Sequence, residues 1–351
     1  MAVLPQLLDV ENYRPCDWDL KEDHQGRAYW VKLFCDHLAL VLELISKEYP
    51  DADQQRLNAF RQDYLDTMRN LDGHPEQFET VDILRLTRLR NEVQNRHGFS
   101  DPFLGIKQSA NDAALELLPQ VLADLDALPP ENLVTELAQG LMAGNLFDLG
   151  ARSTAHLYRT GQGGFHQSLE ILPTRPWFID DLTFWRDRWT ERPYRHAFMF
   201  VDNAGADICL GCIPFIRWML RNKTCIMLAA NSLPALNDVT APELMALIPC
   251  IARLDPTIES ALTQGTLKLI ASGNDTPLLD LASISDQCAA AARDIDLLIL
   301  HGMGRGIESN FTARFRCDVL TTAIIKDPAV AQYVGGQLND CVLRLVPAAG
   351  Q

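Results

Sequence analysis

The chain has no surplus of positive charge: 31 Lys and Arg stand against 46 Asp and Glu, a formal net charge of −15 over 351 residues. Nucleic acid and anionic membrane surfaces therefore find no general attraction here, and neither is an expected partner. Long apolar runs are also missing. Asn, Asp or Arg breaks each one within strand length, so none reaches the span of a bilayer. The opening stretch MAVLPQLLDVENYRPCDWDL carries no basic leader and no cleavage pattern, which makes a cytoplasmic address the expectation. There is no G-x-S-x-G elbow and no P-loop with its Lys-Ser/Thr. The eight histidines have no ligand spacing. The nine cysteines are odd in number and scattered through apolar runs, as reduced buried thiols are. Cys209 and Cys212 form a lone C-x-x-C with no second ligand pair. Zinc is not expected there, and two small core-facing residues are.

What the chain does have is a change of pattern part-way along. Residues 1–160 read as an all-helical subdomain, with apolar residues at helical spacing over 28–49, 51–71, 80–98, 111–128 and 131–151, the last interrupted by glycines. Asp51 is the expected cap of the second helix. Residues 161–195, rich in Gly, Pro and Trp, read as a connecting segment whose tryptophans pack in a core or between domains. From 196 to 351 strand-like and helical segments alternate, with strands expected at 196–201, 224–230, 266–272, 296–302 and 321–326, and one more at an edge over 341–346. The predicted fold is α/β: a mostly parallel, Rossmann-like three-layer sheet preceded by the helical subdomain.

The organising stretch is HAFMFVDNAGADICLGCIPFIRWMLRNKTCIMLAANSLPALNDVT, residues 196–240, which reads as strand, loop, helix, strand. Ligands of open parallel sheets sit beyond the carboxyl ends of the strands. Polar residues recur at that end: Asp202-Asn203, then Asn231, then Gly273-Asn274-Asp275, then Gly302 to Gly306, then Lys326-Asp327. Asp202, Asn203 and Asp238 offer only oxygen ligands, which suit a hard cation such as Mg²⁺ or Mn²⁺. The competing explanation is that Asp202 and Asp238 merely cap helices. Lys326 follows a strand as a point charge. Gly302-Met303-Gly304-Arg305-Gly306 leaves amides open for a phosphate. His301 enters that loop and could hold a phosphate oxygen or relay a proton. Asn145 and Asp148 end the last helix of the first half, where they either face the cleft or cap.

Taken together, FVDNAGADI, AANSLPALNDVT, GNDTPLLDL, HGMGRGIESN and IIKDPAVAQYVGGQL, with KEDHQGRAYWVKLF, FSDPFLGIKQSANDAAL and LMAGNLFDLGA earlier, resemble the metal-dependent damage-control phosphatases. Within that family the pattern is similar to the 4′-phosphopantetheine phosphatase domain fused to some pantothenate kinases. The resemblance implies a divalent cation (Mn, Mg, Co or Ni) held by Asp202, Asn203 and Asp238. It also implies Gly302 to Arg305 and Lys326 around the phosphate, and a small phosphorylated substrate such as 4′-phosphopantetheine or a damaged form of it. Attack on phosphorus by water or by the Asp202 carboxylate stays open at this point, as does a homodimer. Relatives carry Glu at the positions of His301 and Ala110. Both departures remove a carboxylate, so the alternative is a phosphometabolite-binding regulator that has lost turnover.

Overall fold

In the computed structural model, which describes residues 1–146 and 164–349, five helices lead the chain. They are α1 (His24–Glu48), α2 (Gln54–Gly73), α3 (Ile83–Arg96), α4 (Leu104–Asp126) and α5 (Pro130–Leu146). Aspartates start three of them: Asp23, Asp53 and Asp82 accept from the backbone N–H of Gly26, Arg56 and Arg85, which satisfies a donor that no helical carbonyl can reach. The cap of α2 is therefore Asp53, not the predicted Asp51, which sits in the turn before it. α4 begins well before residue 111, because LGIKQSA (104–110) is helical without showing a clear apolar period. α5 is not broken by its glycines as far as Leu146. At Gly144 a Cβ would lie 2.9 Å from the Ala206 carbonyl oxygen and 2.9 Å from the Cα of Asp207. Only glycine lets the helix come that close to the loop that follows β2.

The connecting segment holds more than a linker: α6 (Phe165–Ile171), β1 (Ile179–Asp180) and α7 (Leu182–Glu191). Trp185 and Trp189 of α7 pack against Trp218 at 5.7 and 4.8 Å between ring centroids, a core contact as expected.

The remaining strands are β2 (His196–Phe200), β3 (Cys225–Ala230), β4 (Leu267–Ala271), β5 (Leu297–His301), β6 (Asp318–Ile324) and β7 (Cys341–Val346). They form one seven-stranded sheet in the order β1-β7-β6-β5-β2-β3-β4. Every pairing is parallel except β6 with β7. β7 is not an edge, since β1 covers it. β6 starts at Asp318, a residue whose charge reads as loop in sequence; Arg188 and Tyr194 pair with it in the structure. Between the strands lie α8 (Ile213–Arg221), α9 (Ala241–Ala252), α10 (Pro256–Gln264), α11 (Asp286–Ala291) and α12 (Pro328–Val334), and short π-helical turns at Asp207–Cys212 and Gly304–Glu308.

Side chains of a strand alternate between faces, and β2 and β5 use both. Ala197, Met199, Leu297 and Ile299 join the cluster formed with α4, α5, α8 and α9. Phe198, Phe200, Leu298 and Leu300 join a second cluster with Leu4, Leu7, Leu279 and Ile284. A third cluster packs α1, α2 and α3 against Ala323, Ile325, Val330 and Val342. The chain runs from β2 outward to β3 and β4, then returns to β5 on the other side of β2. The carboxyl ends of β2 and β5 thus flank a topological switch point, where open α/β sheets bind ligands.

Candidate active site

Asp202 lies just past β2 and Asp238 in the loop past β3. Backbone pairing joins the two loops: Val239 N–H donates to the Asp202 carbonyl at 2.9 Å, and Ala204 N–H to the Asn237 carbonyl at 2.9 Å. An isolated antiparallel bridge pairs Asn203 with Asp238. Neither aspartate caps a helix. Ala206 precedes the turn at 207, and Thr240 caps α9 in a capping box with Glu243. The capping explanation is therefore replaced by one in which both carboxylates face a common point.

Arg305 stands at that point. Its guanidinium donates to Asp202 Oδ1, and to Asp238 Oδ2 at 2.8 Å. Burial alone would lower its pKa, yet Asp238 and Asp202 hold it above the usual arginine value. Asn231 donates from Nδ2 to Asp238 Oδ2 at 2.8 Å and to the Thr276 carbonyl at 3.0 Å. On the other side Asn145 Nδ2 lies 2.7 Å from Asp202 Oδ2 and 2.6 Å from Asp207 Oδ2. Asn203 Nδ2 reaches the same two oxygens at 3.2 Å each. Lys326 Nζ donates to the Asn145 carbonyl at 2.7 Å. Asp202, Asn203, Asn231, Asp238, Arg305, Lys326 and Asn145 are thus brought together, all buried. Asp148 lies outside the described residues.

Two predicted residues sit differently. His301 does not reach an open glycine loop: it is fully buried, with Nε2 2.6 Å from Asp207 Oδ1 and Nδ1 2.8 Å from Thr322 Oγ1. It lies behind the carboxylates because β5 turns that face toward β6 and the 207 turn. Gly302 does not offer a free amide, since its N–H donates to the Thr322 carbonyl at 2.9 Å. Its φ is +99°, and a Cβ there would lie 2.2 Å from Asp202 Oδ2, so glycine is what admits the carboxylate. Gly304 and Met303 do line the cleft.

Asp207 was not singled out from sequence, although it lies one turn on from Asp202. Burial works to raise its pKa, but the charge and hydrogen bond of His301 outweigh that and hold it below the usual carboxylate value. Cys212 Sγ is 3.8 Å from Asp207 Oδ1, and burial and that carboxylate push its thiol well up. Ligand atoms of Asp207, Cys212 and His301 lie within 4.8 Å of one another, a buried group able to hold a metal ion. Asp202 and Asp238 instead hold the Arg305 guanidinium. Beside Asp202 and Asp207 the Oδ1 of Asn145 is buried with no hydrogen-bond partner, an orphaned acceptor of the kind that suits a hard cation.

The carboxylates open into a cleft lined at the sheet by Asp202, Asp238, Gly304 and Lys326 and on the far side by Trp30, Phe34 and Arg90 of α1 and α3.

A family model described as the damage-control phosphatase ARMT1-like domain matches residues 37–342. The chain belongs to this family. It is a damage-control phosphatase, and a protein of Arabidopsis thaliana named damage-control phosphatase At2g17340 is 36% identical to it over 98% of this chain and 97% of its own length. The mouse protein named 4′-phosphopantetheine phosphatase is 32% identical over 97% of this chain, and Arabidopsis pantothenate kinase 2 is 34% identical over 99%. The phosphatase spans only 48% and 42% of those two longer proteins. A crystal structure of a DUF89 family protein from Pyrococcus horikoshii superposes with a TM-score of 0.63, covering 90% of this chain and 96% of that one at 16% identity. That likeness shows the fold alone. Among the described residues no helix is long and apolar enough to cross a membrane.

Proposed function

We propose that this phosphatase hydrolyses a small phosphomonoester in the cleft between α1, α3 and the sheet, with a divalent cation held by Asp202, Asn203 and Asp238. The observation that carries the reading is the convergence of two buried carboxylates on one cationic group at the switch point of the sheet. When bound, the cation supplies positive charge against the charge that builds on the phosphoryl oxygens. Asn145 and Asn203 fix Asp202 in one orientation by donating to its Oδ2. Lys326, which lines the cleft, brings fixed positive charge that the acidic chain otherwise lacks and holds a phosphate oxygen, while Arg305 counters the two carboxylates from behind. α1 and α3 cover the cleft, keep water from the arm of the substrate and select it. The name of the mouse relative supports 4′-phosphopantetheine, or a damaged form of it, as that substrate.

The test uses protein stripped of metal with a chelator, then given Mn²⁺, Mg²⁺, Co²⁺ or Ni²⁺ with p-nitrophenyl phosphate and with 4′-phosphopantetheine. Release of phosphate that returns with at least one ion is expected. No release from either ester with any ion overturns the reading.

A further inference from the structure

Buried polar atoms nearly always find a partner in a folded protein, so each exception calls for a reason. Five side-chain atoms among the described residues have none: Trp30 Nε1, Arg90 Nη2, Asn145 Oδ1, Trp185 Nε1 and Asn237 Oδ1. Asn145 belongs to the carboxylate cluster, and Trp185 lies in the aromatic core beneath α8. The other three, Trp30, Arg90 and Asn237, all line the one cleft that holds Asp202 and Asp238. They are 3%, 4% and 7% exposed, so bulk water does not satisfy them.

From these three atoms we infer a polar subsite that reads a secondary amide in the arm of the phosphomonoester. The inference rests on the cleft being the phosphatase site. Two of the atoms are donors and one is an acceptor. An amide brings the complement: its carbonyl oxygen accepts from Arg90 or Trp30, and its N–H donates to Asn237. A plain alkyl arm leaves all three orphaned, at the cost that unmet buried groups carry. A carboxylate could use the donors but would face Asn237 Oδ1 with no proton to give. It would also meet a cleft whose lining already includes Asp202, Asp238, Glu308 and Asp327. The apolar frame suits a short acyl chain: Phe34 carries the Arg90 guanidinium on its ring face at 5.3 Å, and Leu33, Ile83 and Leu278 complete the wall. Arg90 is held there although burial disfavours its charge and lowers its pKa. Its Nε meets Asn91 Oδ1 at 3.4 Å, which leaves Nη2 as its unpartnered donor.

The experiment compares wild type, Arg90→Met and Trp30→Phe, each as the full chain with the ion that supports turnover. The substrates are 4′-phosphopantetheine, whose arm carries amides, an unbranched alkyl phosphate of equal length, and an ω-carboxyalkyl phosphate. Wild type is expected to favour the amide ester by at least ~10-fold in kcat/KM, the worth of a hydrogen bond to a charged donor. That ratio should collapse toward 1 in both variants, while the melting temperature of Arg90→Met stays level or rises because an unmet buried charge is gone. A general loss of structure would lower both esters together and leave the ratio standing, which overturns the inference. So does a wild type that prefers the alkyl or the carboxyalkyl ester. Should no ester be hydrolysed, the phosphatase reading falls by itself. The subsite is then decided by calorimetry with pantetheine: binding at least ~10-fold weaker in Arg90→Met upholds it, and equal binding or none to wild type overturns it.

Discussion

Arg305 Nη2 donates to Asp238 Oδ2 across 2.8 Å, while Nη1 of the same guanidinium donates to Asp202. One buried cation thus holds both carboxylates that the sequence marks as metal ligands. Two acids this close repel, and burial makes the repulsion costly unless a positive charge stands between them. Arg305 supplies that charge from the protein itself. Replacing it with Met should therefore cost about 3–5 kcal/mol, the usual cost of breaking a buried pair. Millimolar Mn²⁺ should return a large part of that loss, since a ligand at 100 times its Kd contributes about 2.7 kcal/mol. Scanning calorimetry of Arg305→Met with and without Mn²⁺ measures both quantities. A melting temperature that ignores the ion would remove the metal assignment to Asp202 and Asp238.

The same two aspartates carry a prediction on rate. Asp202→Ala and Asp238→Asn should each lower kcat by at least ~100-fold, about 3 kcal/mol of transition-state stabilisation. Asn203, Asn145 and Asn231 surround them with amide donors and should matter less singly. Initial rates on p-nitrophenyl phosphate give the number directly. Near-wild-type turnover of both variants in metal-free buffer would refute the role.

How much of this was legible beforehand differs from residue to residue. The strand HAFMFV and the polar residues after each strand give the sheet and the position of the site, because strand period and strand ends are local signals. Asp202 and Asp238 are marked for the same reason. What joins them is not local: the hydrogen bonds from Ala204 to Asn237 and from Val239 to Asp202 appear only when the two loops meet. Arg305 reads as a phosphate ligand from its glycine loop, and nothing in HGMGRG shows that its guanidinium turns inward to the carboxylates. Asp207 and Arg90 are hidden for another reason. Each sits in a helical pattern where a charge normally means an exposed face, and only the fold reveals that these faces are closed. The ends of β6 and α4 shift because Asp318 and Gly105 carry loop-like residue types into regular structure.

Gly302 offers a test that separates geometry from charge. Its φ of +99° lies where a side chain is strained, and the added methyl would meet Asp202 Oδ2 at 2.2 Å. Gly302→Ala should cost on the order of 1–3 kcal/mol in stability and displace the carboxylate, without removing any charged or hydrogen-bonding group. The activity loss should therefore approach that of Asp202→Ala, while the fold persists. Comparing circular dichroism, melting temperature and kcat on one preparation checks this. Full activity would mean that the position of Asp202 is not critical.

His301 pairs with Asp207 at 2.6 Å, and replacing it has a measurable consequence. In the wild type Asp207 is held below the usual carboxylate value with His301 beside it. A depressed pKa contributes stability above the unfolded value of about 3.9, and that stability is lost as pH falls through the folded value. In His301→Gln the positive charge is gone while the burial of Asp207 stays, so burial now raises its pKa. The sign then reverses: the folded state keeps the proton longer, and stability falls as pH rises through the raised value. Melting temperatures between pH 5 and pH 8 should thus slope downward for His301→Gln relative to wild type. The double variant His301→Gln/Asp207→Asn should remove that slope, since no buried carboxylate remains to titrate there. A His301→Gln profile parallel to wild type would show that the imidazole does not carry the counter-charge of Asp207.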